Sequence, residues 1–327
     1  MTLDWSVLEI DASSEAERIS AQLRDAIAGI LRRRGAVVAI SGGVDSGVCA
    51  ALAVRALGPE RVLALILPEH ESSPESVIRA RSLAAHLGIQ PVEQDIGPTL
   101  EAIGCYRWRD EAVRRVLPEY GAGWRMKLAV SGGIEGRINY FRLIARSPDG
   151  ASFEARLGLK DYLQIVAATS FKQRIRKTLE YFHADRCNYA VIGTPNRLEY
   201  DQGFFVKNGD GAADVKPIAH LYKSQIYALA QFLHLPADVA TASPTTDTYS
   251  LPQGQDEFYF GLPYRQMDLA LWALNHGIAP EPLAQALGLS ADAARHVYND
   301  IRAKRQATQY QHRQAMLLAP VSEIEPL

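Results

Sequence analysis

AVVAISGGVDSGVCAALAVRAL, residues 36–57, decides how the rest of the chain is read. It opens with five apolar residues, passes through SGGVDSG at 41–47 and continues as an apolar, alanine-rich run. A short apolar run that ends at glycines predicts a buried strand, and the run after it predicts a helix through about Leu57. In an open α/β sheet, ligands bind outside the carboxyl ends of the strands, where SGGVDSG stands. Gly42 and Gly43 allow positive φ and close backbone approach. Free N–H groups and the helix dipole would then make an anion site. Ser41 and Ser46 add hydroxyl donors, and Asp45 can hold Mg²⁺ against phosphate oxygens. An ordinary strand–helix turn with a serine cap is the alternative. The order strand, SGGxDS, helix favours phosphate binding. GxxxxGK[ST] and GxGxxG are both missing, which disfavours a common P-loop and a dinucleotide redox enzyme.

Outward from this stretch the pattern alternates. Residues 13–33 predict an amphipathic helix with Ile19, Leu23, Ile27, Ile30 and Leu31 at helical spacing and Ser13 or Ser14 as cap. RVLALIL (61–67) and PVEQDI (91–96) predict strands around a helix at 74–87. From 98 to 160 the alternation breaks into scattered glycines, aromatics and basic residues, which read as an insertion with a hairpin across RINYFRLIARSPDGASFEARL. A helix at about 162–184, the strand YAVIGT (189–194), a GDG loop (209–211) and a helix from about Tyr222 to Leu233 follow. The expected fold is α/β, a doubly wound parallel sheet. The expected organisation is a domain over 1–254, interrupted by the 98–160 insertion, and a helical extension over 255–327. SGG recurs at 131–133 but continues as IEG, so no repeat is inferred.

Composition narrows the function classes. The net charge of −2 over 327 residues gives no overall basic field for nucleic acid or anionic membrane. There is no apolar run of about 18 residues to cross a bilayer. The acidic start MTLDWSVLEIDASSEAER lacks the apolar core of an export signal, so a cytoplasmic protein is expected. Cys49, Cys105 and Cys187 are far apart and form no CxxC pair, which fits a reducing compartment and small buried hydrophobes.

SGGVDSG resembles the pyrophosphatase loop of the N-type ATP pyrophosphatases, which break ATP to AMP and pyrophosphate while adenylating an acceptor oxygen. Within them, GTPNRLEYDQGFFVKNGDGAADVKPIAHLYKSQIYALAQFLHLP (193–236) resembles the NAD synthetase signature, and SPTTDTY (243–249) and QDE (255–257) resemble its later segments. The resemblance implies an adenine nucleotide α-hydrolase-like fold, Mg²⁺ and ATP, deamido-NAD as acceptor and a homodimer. It assigns Ser41, Gly42, Gly43, Asp45 and Ser46 to the ATP phosphates and Asp45 and Glu199 to Mg²⁺. Thr194 falls on the adenosine side, and Lys223 and Thr245 clamp the phosphates. Arg174, Arg176, Lys207, Asp210 and Asp214 fall to deamido-NAD. Ser170 stands where the family usually has asparagine, Val206 where it has threonine, and the 98–160 stretch is longer than its family counterpart. No cysteine stands in a glutaminase context, so ammonia is the expected nitrogen donor.

Each residue also has a plainer reading. Lys223 could be a solvated helix lysine, Glu199 a cap, Asp210 a turn residue and Thr245 a loop hydroxyl. Arg174 and Arg176 lie two apart and do not share a helix face. In the insertion, CYRWRDEAVRR (105–115) and GWRMK (123–127) could stack on a base and grip a phosphate, or simply pack a surface lid. A related amidoligase acting on another carboxylate remains open. So does a nucleotide-sensing DNA-binding regulator, because PEPLAQALGLSADAARHVYNDIRAKRQ (280–306) has a helix-turn-helix pattern. The slight net acidity and the few base-reading side chains, Arg295, His296 and Asn299, argue against the regulator.

Overall fold

The computed structural model describes residues 3–131, 140–242, 248–254, 259–319 and 321. Four short parallel strands form the central sheet: β1 (Ala36–Ala39), β2 (Val62–Ile66), β3 (Pro91–Glu93) and β7 (Ala190–Ile192), in the order β3-β2-β1-β7. Val37 pairs with Leu63 on one side and with Val191 on the other. The chain therefore winds outward from β1 through β2 to β3, then returns to lay β7 against the free edge of β1. The order reverses between β1 and β7, and that reversal opens a crevice at the carboxyl ends of both strands.

Both faces of the sheet are covered, as its nearly unbroken apolar strands require. One face carries α1 (Ala12–Arg24), α2 (Val44–Leu57), α3 (Pro74–His86) and, later in the chain, α8 (Lys223–Phe232), with α9 (Ala237–Ala240) beside them. Their core includes Ile19, Leu23, Ile27, Val48, Leu52, Leu83 and Leu229. On the other face α4 (Gly97–Ala102), α5 (Cys105–Val116) and the 29-residue α6 (Leu159–Cys187) pack around Val37, Leu65 and Val191.

The first helix departs from its expected form. Its cap is Asp11, whose carboxylate accepts from the N–H groups of Ser13 and Ser14 at 3.0 Å, not either serine. After Arg24 the backbone widens into a π-helical turn over Asp25–Ile30. The wider turn shifts the apolar stripe, so Ile27 is fully buried while Ile30 is 80 % exposed.

The stretch from 98 to 160 contains the expected hairpin, formed by β5 (Tyr140–Arg146) and β6 (Ser152–Arg156), and β4 (Arg125–Ser131) adds a third antiparallel strand. Met126, Leu128, Leu143 and Ala145 pack inward on Ala112 and Val113 of α5 and Ile165 of α6. The tail is helical: α10 (Tyr264–Asn275), α11 (Pro280–Leu287) and α12 (Ala291–His312). Their core takes in Leu3 and Leu8 from the start of the chain, Leu198 from α7 (Arg197–Gln202), and Tyr222. In the helix-turn-helix pattern, α12 turns Ala294, Val297, Tyr298 and Ile301 into this core, and Arg295 pairs with Glu281 and Asp292. Among the described residues no helix is long and apolar enough to cross a membrane.

The π-turn sets a contrast that denaturation can read. Ile27→Ala should cost about 2–5 kcal/mol of unfolding free energy in urea, the usual range for a fully buried isoleucine. Ile30→Ala should stay within about 0.5 kcal/mol of the parent. Equal losses would mean that the helix keeps regular α register through residue 30 in solution.

Candidate active site

The SGGVDSG loop joins β1 to α2 at the crevice. Gly42 has φ +80°, and a Cβ there would lie 2.3 Å from the carbonyl oxygen of Ser76, so this position requires glycine. Arg79 of α3 holds the turn from behind, its Nε donating to the Gly42 carbonyl at 3.1 Å. Ser46 Oγ donates to the Gly43 carbonyl at 2.9 Å and accepts from Ser41 N–H at 3.2 Å. Ser41 Oγ lies 3.2 Å from Ser46 Oγ and accepts from Gly43 N–H at 3.3 Å. Two hydroxyls and the first N–H groups of α2 are thus gathered at one helix N-terminus, an arrangement suited to phosphate oxygens.

Opposite the loop stands Lys223, the first residue of α8 and only 2 % exposed. Its Nζ forms an ion pair with Asp45 Oδ2. Asp45 Oδ1 accepts from Asn196 Nδ2 at 3.3 Å. Asn196 caps α7 in a reciprocal box: its Oδ1 accepts from the N–H groups of Leu198 and Glu199, and Glu199 Oε2 accepts from Asn196 N–H at 3.0 Å. Burial favours the neutral amine of Lys223, but the charges of Asp45 and Glu199 outweigh it and hold the ammonium above its ordinary pKa. The backbone of Lys223 is fixed from the C-terminal helices. Asp268 of α10, fully buried, accepts from Lys223 N–H at 3.1 Å and from Ser224 N–H at 2.7 Å. Desolvation pushes the Asp268 carboxyl up to about 7, against the pull of those donors.

These groups border a cavity of about 560 Å³ that runs from the loop toward α6 and the GDG turn. Ser41, Gly43, Asp45, Ser46, Thr194, Glu199 and Lys223 line it, and so do Arg176 and Asp210. Arg176 Nε donates to the Leu67 carbonyl at 3.2 Å. Asp210 accepts from Val206 N–H at 2.7 Å, as a turn residue does, while its carboxyl, raised by desolvation, stands in the cavity wall. Among the described residues, four expected ones do not reach the lining, the first being Gly42, which packs against Ser76. Arg174 Nε donates to the Lys207 carbonyl at 3.3 Å. Lys207 Nζ donates to the carbonyls of Tyr310 (3.1 Å) and Arg313 (2.8 Å) at the end of α12. Asp214 accepts from Val191 N–H at 2.7 Å and Tyr181 Oη at 3.2 Å, which ties the GDG loop to β7. Thr245 lies outside the described residues, as do most of SPTTDTY and all of QDE.

Several residues of the site were not singled out in the sequence. Asn196 had a signal, the N-x-x-E spacing of a capping box in NRLE. Lys177 and Glu180 form a buried pair at 2.6 Å on the cavity side of α6, visible in sequence only as an i,i+3 spacing. Thr308 of α12 lines the far wall, and Asp268 acts from α10; no local pattern marks either. Cys49 and Cys105 are poor nucleophiles: burial holds the Cys49 thiol well above its ordinary value and lifts Cys105 to about 11. Among the described residues no group of three or more His, Cys, Asp and Glu side chains could hold a metal alone. Asp45 and Glu199 both line the cavity beside the SGGVDSG loop, and two carboxylates are the kind of oxygen set Mg²⁺ uses when phosphates and water complete its shell.

Fold and site together define an adenine nucleotide α-hydrolase-like α/β protein. The family model described as NAD synthase matches residues 15–132 and 147–315, and the chain belongs to that family. It is 53 % identical over 319 residues to the NH(3)-dependent NAD(+) synthetase of Rhizobium meliloti, covering 97 % of this chain and 95 % of that one. It is 38 % identical over 243 residues to the NH(3)-dependent NAD(+) synthetase of Thermotoga maritima, covering 74 % and 80 %. Among solved structures, an NMN synthetase from Francisella tularensis superimposes with TM-score 0.65 at 22 % identity, covering 94 % of this chain and 99 % of that one. An NH3-dependent NAD synthetase from Campylobacter jejuni gives 0.62 at 22 %, covering 95 % and 100 %. These two likenesses bear on the fold. Within 98–160, the family model leaves out residues 133–146.

Asp268 makes the site's stability depend on pH. Its carboxyl is protonated in the folded protein up to about 7 and ionised in the unfolded chain above about 4. The folded state therefore binds the extra proton between those values. Its contribution is fully present below about pH 4 and is lost as pH rises through about 7. Asp268→Asn should flatten the fall in melting temperature across this window. An unchanged slope would show that the carboxyl is already ionised in the folded protein.

Proposed function

We propose that the chain joins ammonia to the nicotinate carboxylate of deamido-NAD at the expense of ATP, yielding NAD, AMP and pyrophosphate. The observation that carries this reading is the meeting of the phosphate loop, Asp45, Glu199 and Lys223 on one cavity at the switch point of the sheet. Identity to ammonia-dependent NAD synthetases along nearly the whole chain supports the choice of acceptor.

The chemistry follows from charge. A carboxylate and a triphosphate repel each other, so fixed cations must lower the cost of their approach. Lys223 supplies one at the loop, and Arg176 faces the same cavity from α6. The carboxylate oxygen forms a bond to the α-phosphorus, and the bond to the departing pyrophosphate breaks. Ammonia then forms the C–N bond, AMP leaves with the adenylate oxygen, and the nitrogen sheds a proton. No covalent bond to the protein is needed. Holding both partners in line can contribute on the order of 7 kcal/mol. Asp45 and Glu199 would hold Mg²⁺, which when bound neutralises phosphate charge. Ser41, Gly42, Gly43 and Ser46 would receive the phosphates, Thr194 the adenosine side, and Thr245 would join Lys223 in the clamp. Arg176 and Asp210 would meet deamido-NAD directly, with Arg174, Lys207 and Asp214 shaping the GDG loop around it.

The same reading extends to a homodimer working in the cytoplasm with free ammonia or ammonia made by another protein. Support for a partner surface comes from α6, where Leu159, Leu163 and Phe182 are 70 %, 54 % and 58 % exposed.

A pyrophosphate-release assay with ATP, Mg²⁺ and ammonium tests the proposal. Release should depend on deamido-NAD, with NAD and AMP identified by mass. Asp45→Asn and Glu199→Gln should each lower kcat by about 10²-fold or more. Release without deamido-NAD, or near-normal turnover in both variants, would overturn the acceptor or the site respectively.

A further inference from the structure

Among the described residues, none between 98 and 160 lines the cavity. The stretch touches the site through α6, whose Tyr162, stacked on Phe141, and Val166 line the cavity, and through two further lining neighbours, the loop following β2 (Pro68, Ser72) and the segment from Thr248. The last two are held by hydrogen bonds.

The first is a buried charge network. Lys172 of α6 is 1 % exposed, and its Nζ donates to Glu69 Oε1 (3.1 Å), Glu71 Oε2 (2.5 Å) and the Thr248 carbonyl (2.9 Å). One ammonium thus ties together the β2 loop and the 248 segment. The remaining oxygen of each glutamate is taken from α5. Arg109 Nη1 donates to Glu71 Oε1 at 2.5 Å, and Tyr106 Oη donates to Glu69 Oε2 at 2.7 Å. The Tyr106 ring also lies beneath both cations, 5.8 Å from Lys172 Nζ and 5.6 Å from Arg109 Cζ. Burial pushes the Glu71 carboxyl up, but Lys172 and Arg109 outweigh it and hold it below its ordinary value.

The second attachment runs along β4. Met126 N–H donates to Ser250 Oγ at 2.9 Å, Leu251 N–H donates to the Met126 carbonyl at 3.1 Å, and Gln253 Nε2 donates to the Leu128 carbonyl. Tyr249 is packed in the same core as Met126 and Leu128.

We propose that α5 and β4 of the 98–160 stretch form a buttress for nucleotide binding, in which Arg109 and Tyr106, acting through Glu71, Glu69 and Lys172, are positioning residues for two wall segments of the cavity. Part of this reading rests on the proposed function, because it takes the cavity to be the ATP and deamido-NAD site. Ion pairs suit the task. A buried, fully bonded network gives little net stability over an apolar one of the same shape, but it defines one arrangement of its partners. The β2 loop adjoins Ser76 and Arg79, which shape Gly42, so a shift there reaches the phosphate loop.

The test is equilibrium binding of a non-hydrolysable ATP analogue with Mg²⁺ by calorimetry, at a temperature well below melting, followed by steady-state kinetics. Arg109→Met should weaken analogue binding about tenfold and raise the KM for ATP in step. The kcat at saturation should change no more than about twofold, and Arg109→Lys should recover most of the affinity. A purely structural role would lower the melting temperature and leave affinity and KM where they were; that result overturns the proposal. If Arg109→Met does not fold, Tyr106→Phe removes one hydroxyl without unpairing a charge. It should weaken binding severalfold, and unchanged binding there overturns the proposal equally. The calorimetry needs no turnover, so a wild-type protein that binds the analogue but ignores deamido-NAD refutes the acceptor and leaves the buttress to be judged on affinity alone.

Discussion

A single buried ammonium, that of Lys223, governs the arrangement of the site. Taking a cation out of water costs several kcal/mol unless counter-charges and hydrogen bonds replace the lost solvent. Here the compensation comes from Asp45, which the chain delivers after β1, and from Glu199, which it delivers after β7. The two carboxylates therefore come from the two strands whose order reverses, and the lysine comes from the helix that covers them. Displacing any of the three leaves a charge short of partners in a confined space. The crevice is consequently more than a gap between strands, since its width is set by the requirement that these charges meet.

The position of the ammonium depends on residues far from it. Asp268 takes the two N–H groups at the start of α8, as a cap would, but reaches them from α10. α10 is held by the core shared among Leu3, Leu8, Leu198 and the last two helices. α12 returns to the cavity, where Thr308 stands in the wall and Lys207 is gripped by the carbonyls of Tyr310 and Arg313. The C-terminal helices thus form part of the frame that aims Lys223. Loosening their core would be felt at the phosphate loop through α8 before it was felt by the parallel sheet.

The parallel sheet was legible because its signal is local and redundant. Apolar runs of strand length end in glycine or proline, and the helices between them repeat at helical spacing. The glycine turn after β1 was legible for a related reason: glycines stand where the apolar run ends, and Gly42 takes a positive φ with Ser76 pressed against it. The first helix was legible in extent and misread in two details. Asp11 outcompeted the serines as cap because its carboxylate reaches two N–H groups at once. The π-turn at Asp25–Ile30 carried Ile30 out of the stripe, and periodicity alone cannot announce a change of period. Arg174, Lys207 and Asp214 are bonded to backbone groups around the GDG loop, and spacing along the chain does not reveal which side chains the backbone itself will recruit. Asp268 left no trace, since its partners lie tens of residues away, and Thr308 left none because its local bond to the Lys304 carbonyl is one any helical threonine can make.

The same distinction explains why the 98–160 stretch was hard to interpret. CYRWRDEAVRR reads equally as a ligand-holding surface or as a packed lid, and in the fold Arg109 is buried against Glu71 and Asp110 and Tyr106 bonds Glu69. Arginine next to aromatics has two physical uses, stacking on a bound base and spanning a buried carboxylate, and composition does not separate them. What separates them is the charge waiting on the facing element. Glu69 and Glu71 sit in PEHESSP, a polar loop that would be expected in solvent. Placed under Lys172 they need cations on both sides, and α5 supplies the second one. A loop that ends a buried strand cannot be anchored by apolar packing alone, because its own peptide groups need partners. A layer of charged side chains meets that need and fixes the loop at one height above the sheet. Such a layer tolerates little sliding, since a displaced Glu69 or Lys172 would lose its partners where both are almost wholly buried.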